Sequence, residues 1–206
     1  MHQHLEPHIY FEIKRKIFHL SALLLPFSYI FISKLSMCII LFILSTIILS
    51  LDTYKNYSIK IKELIEKIFS PILRSEEKEG QSLLSGASYM FIGLFITALL
   101  FPKGLTINAW FILIISDSLA AIIGMIYGQK LENGKSLAGS IAFFVSAVVV
   151  SIFSYFIIPH NISFKIIIIC CLATTMVEFF SSSIRINDNF TIPFTYSLCA
   201  VILNLL

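Results

Sequence analysis

Residues 116–143, SDSLAAIIGMIYGQKLENGKSLAGSIAF, hold the side chains best suited to chemistry. One carboxylate, Asp117, stands in an otherwise apolar run that ends at Gly124 and Gly128. A polar loop follows, with Lys130, Glu132, Asn133, Gly134, Lys135 and Ser136, and a second apolar run opens with Gly139 and Ser140. A charge within a membrane-type helix costs ~2.5–3.5 kcal/mol on insertion scales, which marks Asp117 as a metal ligand or proton acceptor. The alternative is a hydrogen-bonded packing carboxylate. Asp117, Ala120, Ala121, Gly124 and Gly128 share one helical face, so the carboxylate points into a bundle. Gly134, Lys135 and Ser136 precede a helix start, where backbone N–H groups and an ammonium can meet phosphate. The bland alternative is a snorkelling lysine. A P-loop is excluded, because its first glycine would fall on Gln129 and no strand precedes the loop.

Three further groups could join this site. Glu178 with Asn187, Asp188 and Asn189 supplies hard oxygen ligands that suit Mg²⁺ and its bound phosphates; a solvated loop is the alternative. Arg74 with Glu77 matches bidentate phosphate recognition, or else a juxtamembrane pair facing anionic headgroups. Glu12, Lys14, Arg15, Lys16 and His19 cluster at the first helix start, where an orientation signal is the favoured reading. Phosphate-binding cations, metal-binding acids and a lipid-embedded cavity together suggest phosphoryl or nucleotidyl transfer to a lipid.

These side chains must be positioned by membrane helices. Of 206 residues, 57% are hydrophobic and 13% charged, with mean hydropathy +0.90, against ~25% charged in soluble domains. The expected fold is an all-α polytopic membrane bundle forming a single domain over 1–206. About seven spans are predicted, six being possible, at 17–33, 35–51, 82–101, 106–127, 137–158, 164–180 and 190–206. Residues 1–16 are expected to form a cytoplasmic tail. Residues 52–81 read as an amphipathic cytoplasmic helix on the membrane surface, with Ile61, Leu64, Ile65, Ile68, Phe69 and Ile72 at helical spacing. A net charge of +3 is too small to suggest nucleic acid as a partner, and none is expected. Cys38, Cys170, Cys171 and Cys199 form no CxxC pair, so neither a zinc site nor a disulfide framework is supported. No cleavable signal is evident at the start. Seven spans place twelve lysines and arginines on one side and only Lys34, Lys103 and Lys165 on the other. The positive-inside rule then makes the N-terminus and the chemical face cytoplasmic, in a bacterial-type inner membrane. With a helix end near Gly128, Asp117 lies ~16 Å deep and requires a water-accessible cavity.

The motifs, in order, are E-x-K-R-K-x-x-H at 12–19, R-x-x-E at 74–77, the aspartate, alanine and glycine run at 117–129, K-S-x-x-G-S at 135–140, and Glu178 followed by D-N-x-T-I-P at 188–193. The sequence in this respect resembles the polyprenol kinase family: dolichol kinase, phytol and farnesol kinases, and the CTP-dependent diacylglycerol kinase of fungi. The resemblance covers roughly residues 12–195. It implies an integral membrane enzyme that phosphorylates a lipid alcohol, with CTP as donor and a divalent cation such as Mg²⁺. Carried over, Asp117, Lys135, Ser136, Gly139, Glu178, Asp188 and Asn189 would form the nucleotide and metal site. The expected roles are catalysis by Asp117, Lys135 and Asp188, phosphate binding by Lys135, Ser136, Gly139, Ser140, Arg74 and Asn189, and metal binding by Asp188 and Glu178. Glu77 and His19 stand beside them. The main enzymatic alternative is a phosphatidate cytidylyltransferase-like nucleotidyltransferase, although its G-H-G-G-x-x-D-R-x-D signature is missing. A small proton-relaying transporter is the second alternative.

Overall fold

The computed structural model describes residues 7–55, 57–60, 63, 67, 84–158, 162–184 and 186–205. Most of the expected amphipathic segment 52–81, with Arg74 and Glu77, lies outside the described residues, as does the extreme N-terminus. The described residues form a helical membrane bundle: α1 Pro7–Ser21, α2 Leu24–Phe31, α3 Lys34–Tyr54, α4 Gly86–Leu100, α5 Lys103–Phe111, a π-helical turn Ile112–Ser116, α6 Asp117–Tyr127, α7 Leu137–Ile157, α8 Phe164–Ile184 and α9 Asp188–Leu205.

Among the described residues, four helices are long and apolar enough to cross a membrane by themselves: Lys34–Tyr54, Lys103–Tyr127 (α5, the π turn and α6 in one piece), Leu137–Ile157 and Phe164–Ser183. Gly86–Leu100 is shorter and apolar. Their outer faces expose Ile39, Ile43 and Ile47 on α3, and Ile141, Val145 and Val149 on α7. In water such stripes would be liabilities; in lipid they are the solvated face.

The Lys103–Tyr127 rod is the most enclosed of the four, and every residue from Leu105 to Ile114 is buried. A helix buried on every side over this stretch lies at the centre of the bundle. Trp110 stacks on Tyr29 of α2 at 5.1 Å between ring centroids and donates from Nε1 to Thr97 Oγ1 of α4 at 2.8 Å. Asn108 Nδ2 donates to the Tyr196 hydroxyl of α9 at 2.7 Å.

Two expectations about boundaries are corrected. The first predicted span, 17–33, is two helices, and α1 begins inside the expected tail. Pro26 has no N–H to give Ala22, and its ring crowds that carbonyl. The backbone tightens instead, with Leu25 N donating to Ala22 O at 2.9 Å and Leu23 N to Leu20 O at 3.0 Å. Likewise α3 runs to Tyr54 rather than stopping at 51, because Asp52 has partners. Its Oδ2 accepts from Ser85 N and Ser88 Oγ, each at 2.6 Å, and its Oδ1 from Lys55 Nζ at 3.0 Å. This clamp ties the end of α3 to the start of α4.

At the other end of the bundle the lysines do structural work. Lys34 Nζ donates to Phe101 O at 2.8 Å. Lys103 Nζ donates to Ile32 O at 2.9 Å and Ile30 O at 3.1 Å. These bonds satisfy carbonyls left open at helix ends.

Candidate active site

The loop 128–136 and the start of α7 fold back onto α6 because small residues let them. A Cβ on Gly139 would lie 2.8 Å from Ala120 O and 3.4 Å from Gly124 Cα, so only glycine permits this approach. Ser136 caps α7, its Oγ accepting from Gly139 N at 3.1 Å. Gly134 turns the loop with φ +76°, the left-handed region that glycine enters without cost. Asn133 holds the loop from both sides. Its Oδ1 accepts from Lys135 N at 3.1 Å and its Nδ2 donates to Phe179 O of α8 at 2.9 Å.

Lys135 is thereby aimed at α8 and α9. Its Nζ donates to Glu178 Oε1 at 2.5 Å and to Asp188 Oδ2 at 3.2 Å. Ser140 Oγ donates to Glu178 Oε2 at 3.4 Å. Burial works against the Lys135 charge, but Asp188 and then Glu178 outweigh it and hold its pKa above the ordinary lysine value.

A second charged pair lies beside the first. Asp117 is buried and accepts a short hydrogen bond from Lys16 Nζ of α1. His19 Nε2 stands 3.8 Å from the same Oδ2. Arg15, one residue before Lys16, pairs with Glu12 at 2.7 Å. The π turn at 112–116 immediately precedes Asp117. Such insertions re-aim the residues that follow and are frequent at functional sites.

Both pairs border one cavity of about 790 Å³. It is walled by α1 with Glu12, Arg15 and Lys16, by α4 with Tyr89, by α6 with Asp117 and Gly124, by the loop with Lys130 and Lys135, and by Ser136, Gly139, Ser140, Glu178 and Asp188. Asp117, Lys135, Ser136, Gly139, Ser140, Glu178 and Asp188, chosen from sequence, are therefore brought together. Asn189 is not among the wall residues. Its side chain is turned to α4, donating to Gly86 O at 3.0 Å. His19 sits behind Asp117 rather than on the wall. Arg74 and Glu77 lie outside the described residues. Lys16 and Arg15, favoured as an orientation signal, instead reach into the cavity, and Tyr89 joins them. The run E-x-K-R-K-x-x-H carried that signal, since helical spacing puts Glu12, Lys16 and His19 on one face.

No group of three or more His, Cys, Asp and Glu side chains is arranged to hold a metal ion among the described residues. Glu178 and Asp188 nevertheless reach one common cation, Lys135. That ammonium holds the point between them, and both carboxylates border the cavity; hard oxygens of this kind are the ligand type that could hold Mg²⁺ together with phosphates and water.

An uncharacterized protein of Rickettsia prowazekii is 49% identical over 192 residues, covering 93% of this chain and 94% of the relative. The chain belongs to the same family as that protein. An uncharacterized protein of Methanocaldococcus jannaschii is 31% identical over 193 residues, 89% of each chain, and falls in the family too. More distantly, CTP-dependent diacylglycerol kinase 1 of Schizosaccharomyces pombe is 30% identical over 88 residues, 41% of this chain and 39% of the kinase. Probable phytol kinase 1, chloroplastic, of rice is 27% identical over 147 residues, 64% of this chain and 47% of the relative. Each match spans less than half the length of the kinase. No family profile matches the chain, and no solved structure matches it.

Proposed function

We propose that this protein is a lipid kinase that transfers the γ-phosphoryl group of CTP to the hydroxyl of a membrane lipid alcohol, a polyprenol, a phytol- or farnesol-type prenol, or diacylglycerol, at the cytoplasmic face. The observation that carries the reading is Lys135. A lysine held by two carboxylates, next to the N-terminus of α7 and over a polar cavity, is a phosphate site in waiting. The distant kinase relatives support the same reaction class, and the CTP-dependent one supports the donor.

In this reading Lys135 and the first-turn N–H groups of α7 neutralise and orient the donor phosphates, where fixed charges act most strongly on the transition state. Glu178 and Asp188 would hold a divalent cation, which when bound supplies charge neutralisation along the phosphates. Asp117 accepts a hydrogen bond from the acceptor hydroxyl and directs its oxygen at the γ-phosphorus. Lys16 pairs with Asp117 and fixes it in place. The cavity brings water-accessible space to Asp117, which its depth in the helix demands.

The test is to incubate the purified protein in vesicles with γ-labelled CTP and a panel of lipid alcohols. Label appearing on the lipid is the expected result. Release of labelled pyrophosphate with CMP attached to lipid would establish a nucleotidyltransferase instead. Solute flux without CTP turnover would establish a transporter.

A further inference from the structure

Of the two carboxylates on Lys135, Asp188 is the one at a helix end. Glu178 lies inside α8, whereas Asp188 is the first residue of α9. The first turn of a helix has N–H groups without partners in its own ladder, so its place must be fixed from outside. Lys135 Nζ stands 3.2 Å from Asp188 Oδ2, against 2.5 Å from Glu178 Oε1. A shift of about 1 Å in the start of α9 would take the Asp188 carboxylate out of hydrogen-bond reach of the ammonium.

Asn189 fixes that start in two ways. Its backbone N–H donates to Asp188 Oδ1 at 3.1 Å and to Asn187 Oδ1 at 3.0 Å. With Oδ1 engaged there, Asp188 presents Oδ2 to Lys135. Its side chain is buried, and Nδ2 donates to Gly86 O at 3.0 Å. Gly86 opens α4, and a carbonyl with two lone pairs can take this bond beside one within its own helix. Two turns further along α4 the backbones press together. A Cβ on Gly93 would lie 2.9 Å from Asn189 O and 3.0 Å from Phe190 Cα. Asn189 O can face α4 because Pro193, four residues on, has no N–H to bond it.

The partner of Asn189 is itself held. Asp52 Oδ2 of α3 accepts from Ser85 N and Ser88 Oγ, each at 2.6 Å, and these residues flank Gly86. A chain of polar contacts therefore runs from α3 through the start of α4 to the start of α9, and ends at Lys135.

We propose that Asn189 is the positioning residue of the site, holding the first turn of α9 on α4 so that the Asp188 carboxylate stands against Lys135. Its consequence for catalysis rests on the lipid-kinase reading above; the placement itself does not.

The test treats the full-length protein, in phosphatidylcholine vesicles, with a water-soluble carbodiimide. This reagent joins an ammonium and a carboxylate in contact as an amide, with loss of water. Peptide mass spectrometry then compares the Lys135–Asp188 product with the Lys135–Glu178 product, which serves as internal reference. In Asn189→Ala and Asn189→Ser the 188-to-178 ratio is expected to fall several-fold. Serine suits a helix start, which preserves the fold, but it is too short to reach Gly86. Asn108→Ala is the control. It removes another buried amide that bonds α9, at the Tyr196 hydroxyl, ~12 Å further along the helix. It should lower the unfolding midpoint and leave the ratio unchanged. An unchanged ratio in Asn189→Ser, an equal fall in Asn108→Ala, or no Lys135–Asp188 product in the wild type overturns the proposal. Turnover gives a second readout. Asn189→Ser should raise the half-saturating Mg²⁺ concentration several-fold and add nothing further in an Asp188→Asn background, as two changes acting through one group do. Full additivity of the two overturns the positioning role. A wild-type protein that transfers no phosphoryl group removes the kinase reading, and the crosslink ratio then decides the placement by itself.

Discussion

Lys135 Nζ lies 2.5 Å from Glu178 Oε1, although the two residues are 43 apart in the chain. The contact joins the loop before α7 to the last turns of α8, and Asp188 at the start of α9 closes on the same ammonium. Three helix ends meet at one charge.

Removing that charge should abolish most activity. Lys135→Ala removes the ammonium shared by Glu178 and Asp188 and one contact to phosphate. A drop of ~10²–10³ in kcat/KM for the nucleotide is expected, the size of losing one preorganised electrostatic donor. Lys135→Arg should restore little, because a planar fork does not replace a point charge between two carboxylates. Steady-state kinetics with varied nucleotide check both variants, with monodispersity in detergent confirming the fold.

Asp188→Asn should shift the divalent-cation requirement. The carboxylate at the start of α9 is partly open to the cavity, so the substitution removes charge without opening the core. Activity titrated against Mg²⁺ should show a higher half-saturating concentration, with the maximal rate at least partly recovered at high Mg²⁺. An unchanged Mg²⁺ curve would remove Asp188 from the metal site.

Lys16→Ala should destabilise the protein. Lys16 and Asp117 have side-chain exposures of 4% and 7%. Breaking a buried pair by removing one partner costs about 3–5 kcal/mol, because the other charge stays uncompensated. The double variant Lys16→Met with Asp117→Asn should regain most of that stability and remain inactive. Thermal unfolding in detergent, followed beside turnover, separates the two effects.

Gly139 and Gly134 should respond to alanine for different reasons. Gly139→Ala puts a Cβ 2.8 Å from backbone Ala120 O, which must move; overpacking of this kind costs about 1–3 kcal/mol. Gly134→Ala meets nothing within 4 Å, and its cost is the left-handed backbone alone, about 1–2 kcal/mol. Gly134→Asn should be milder than Gly134→Ala, whereas Gly139→Asn should be worse than Gly139→Ala. Unfolding midpoints of the four variants test the contrast.

Sidedness can be read with cysteines placed in a background lacking Cys38, Cys170, Cys171 and Cys199. Glu132→Cys, in the exposed loop at the cavity, should react with impermeant maleimide only from the cytoplasm. Lys165→Cys, exposed at the opposite end, should react only from outside. The reverse pattern would put the proposed site on the wrong face for a cytoplasmic nucleotide.

Much of this protein follows from the sequence alone, because the properties concerned are local. Apolar length marks the spans at 137–158 and 164–180 to within a few residues, since crossing a bilayer requires a run of that kind whatever surrounds it. Asp117, Lys135, Glu178 and Asp188 stand out for the same reason, as charges at or inside apolar runs. The tertiary structure decided what these charges face. Lys16 looks like one more basic residue beside a membrane until α1 packs on α6 and, 101 residues away in sequence, its ammonium reaches Asp117. Asn189 looks like a ligand beside Asp188, yet the close approach of α9 to Gly93 turns its amide to Gly86. Nothing in residues 86–93 signals that Tyr89 borders the cavity, because that depends on which neighbouring helices pack and which do not. Periodicity tells a helix which face to bury; only the packing of the helices on one another determines what is buried against it.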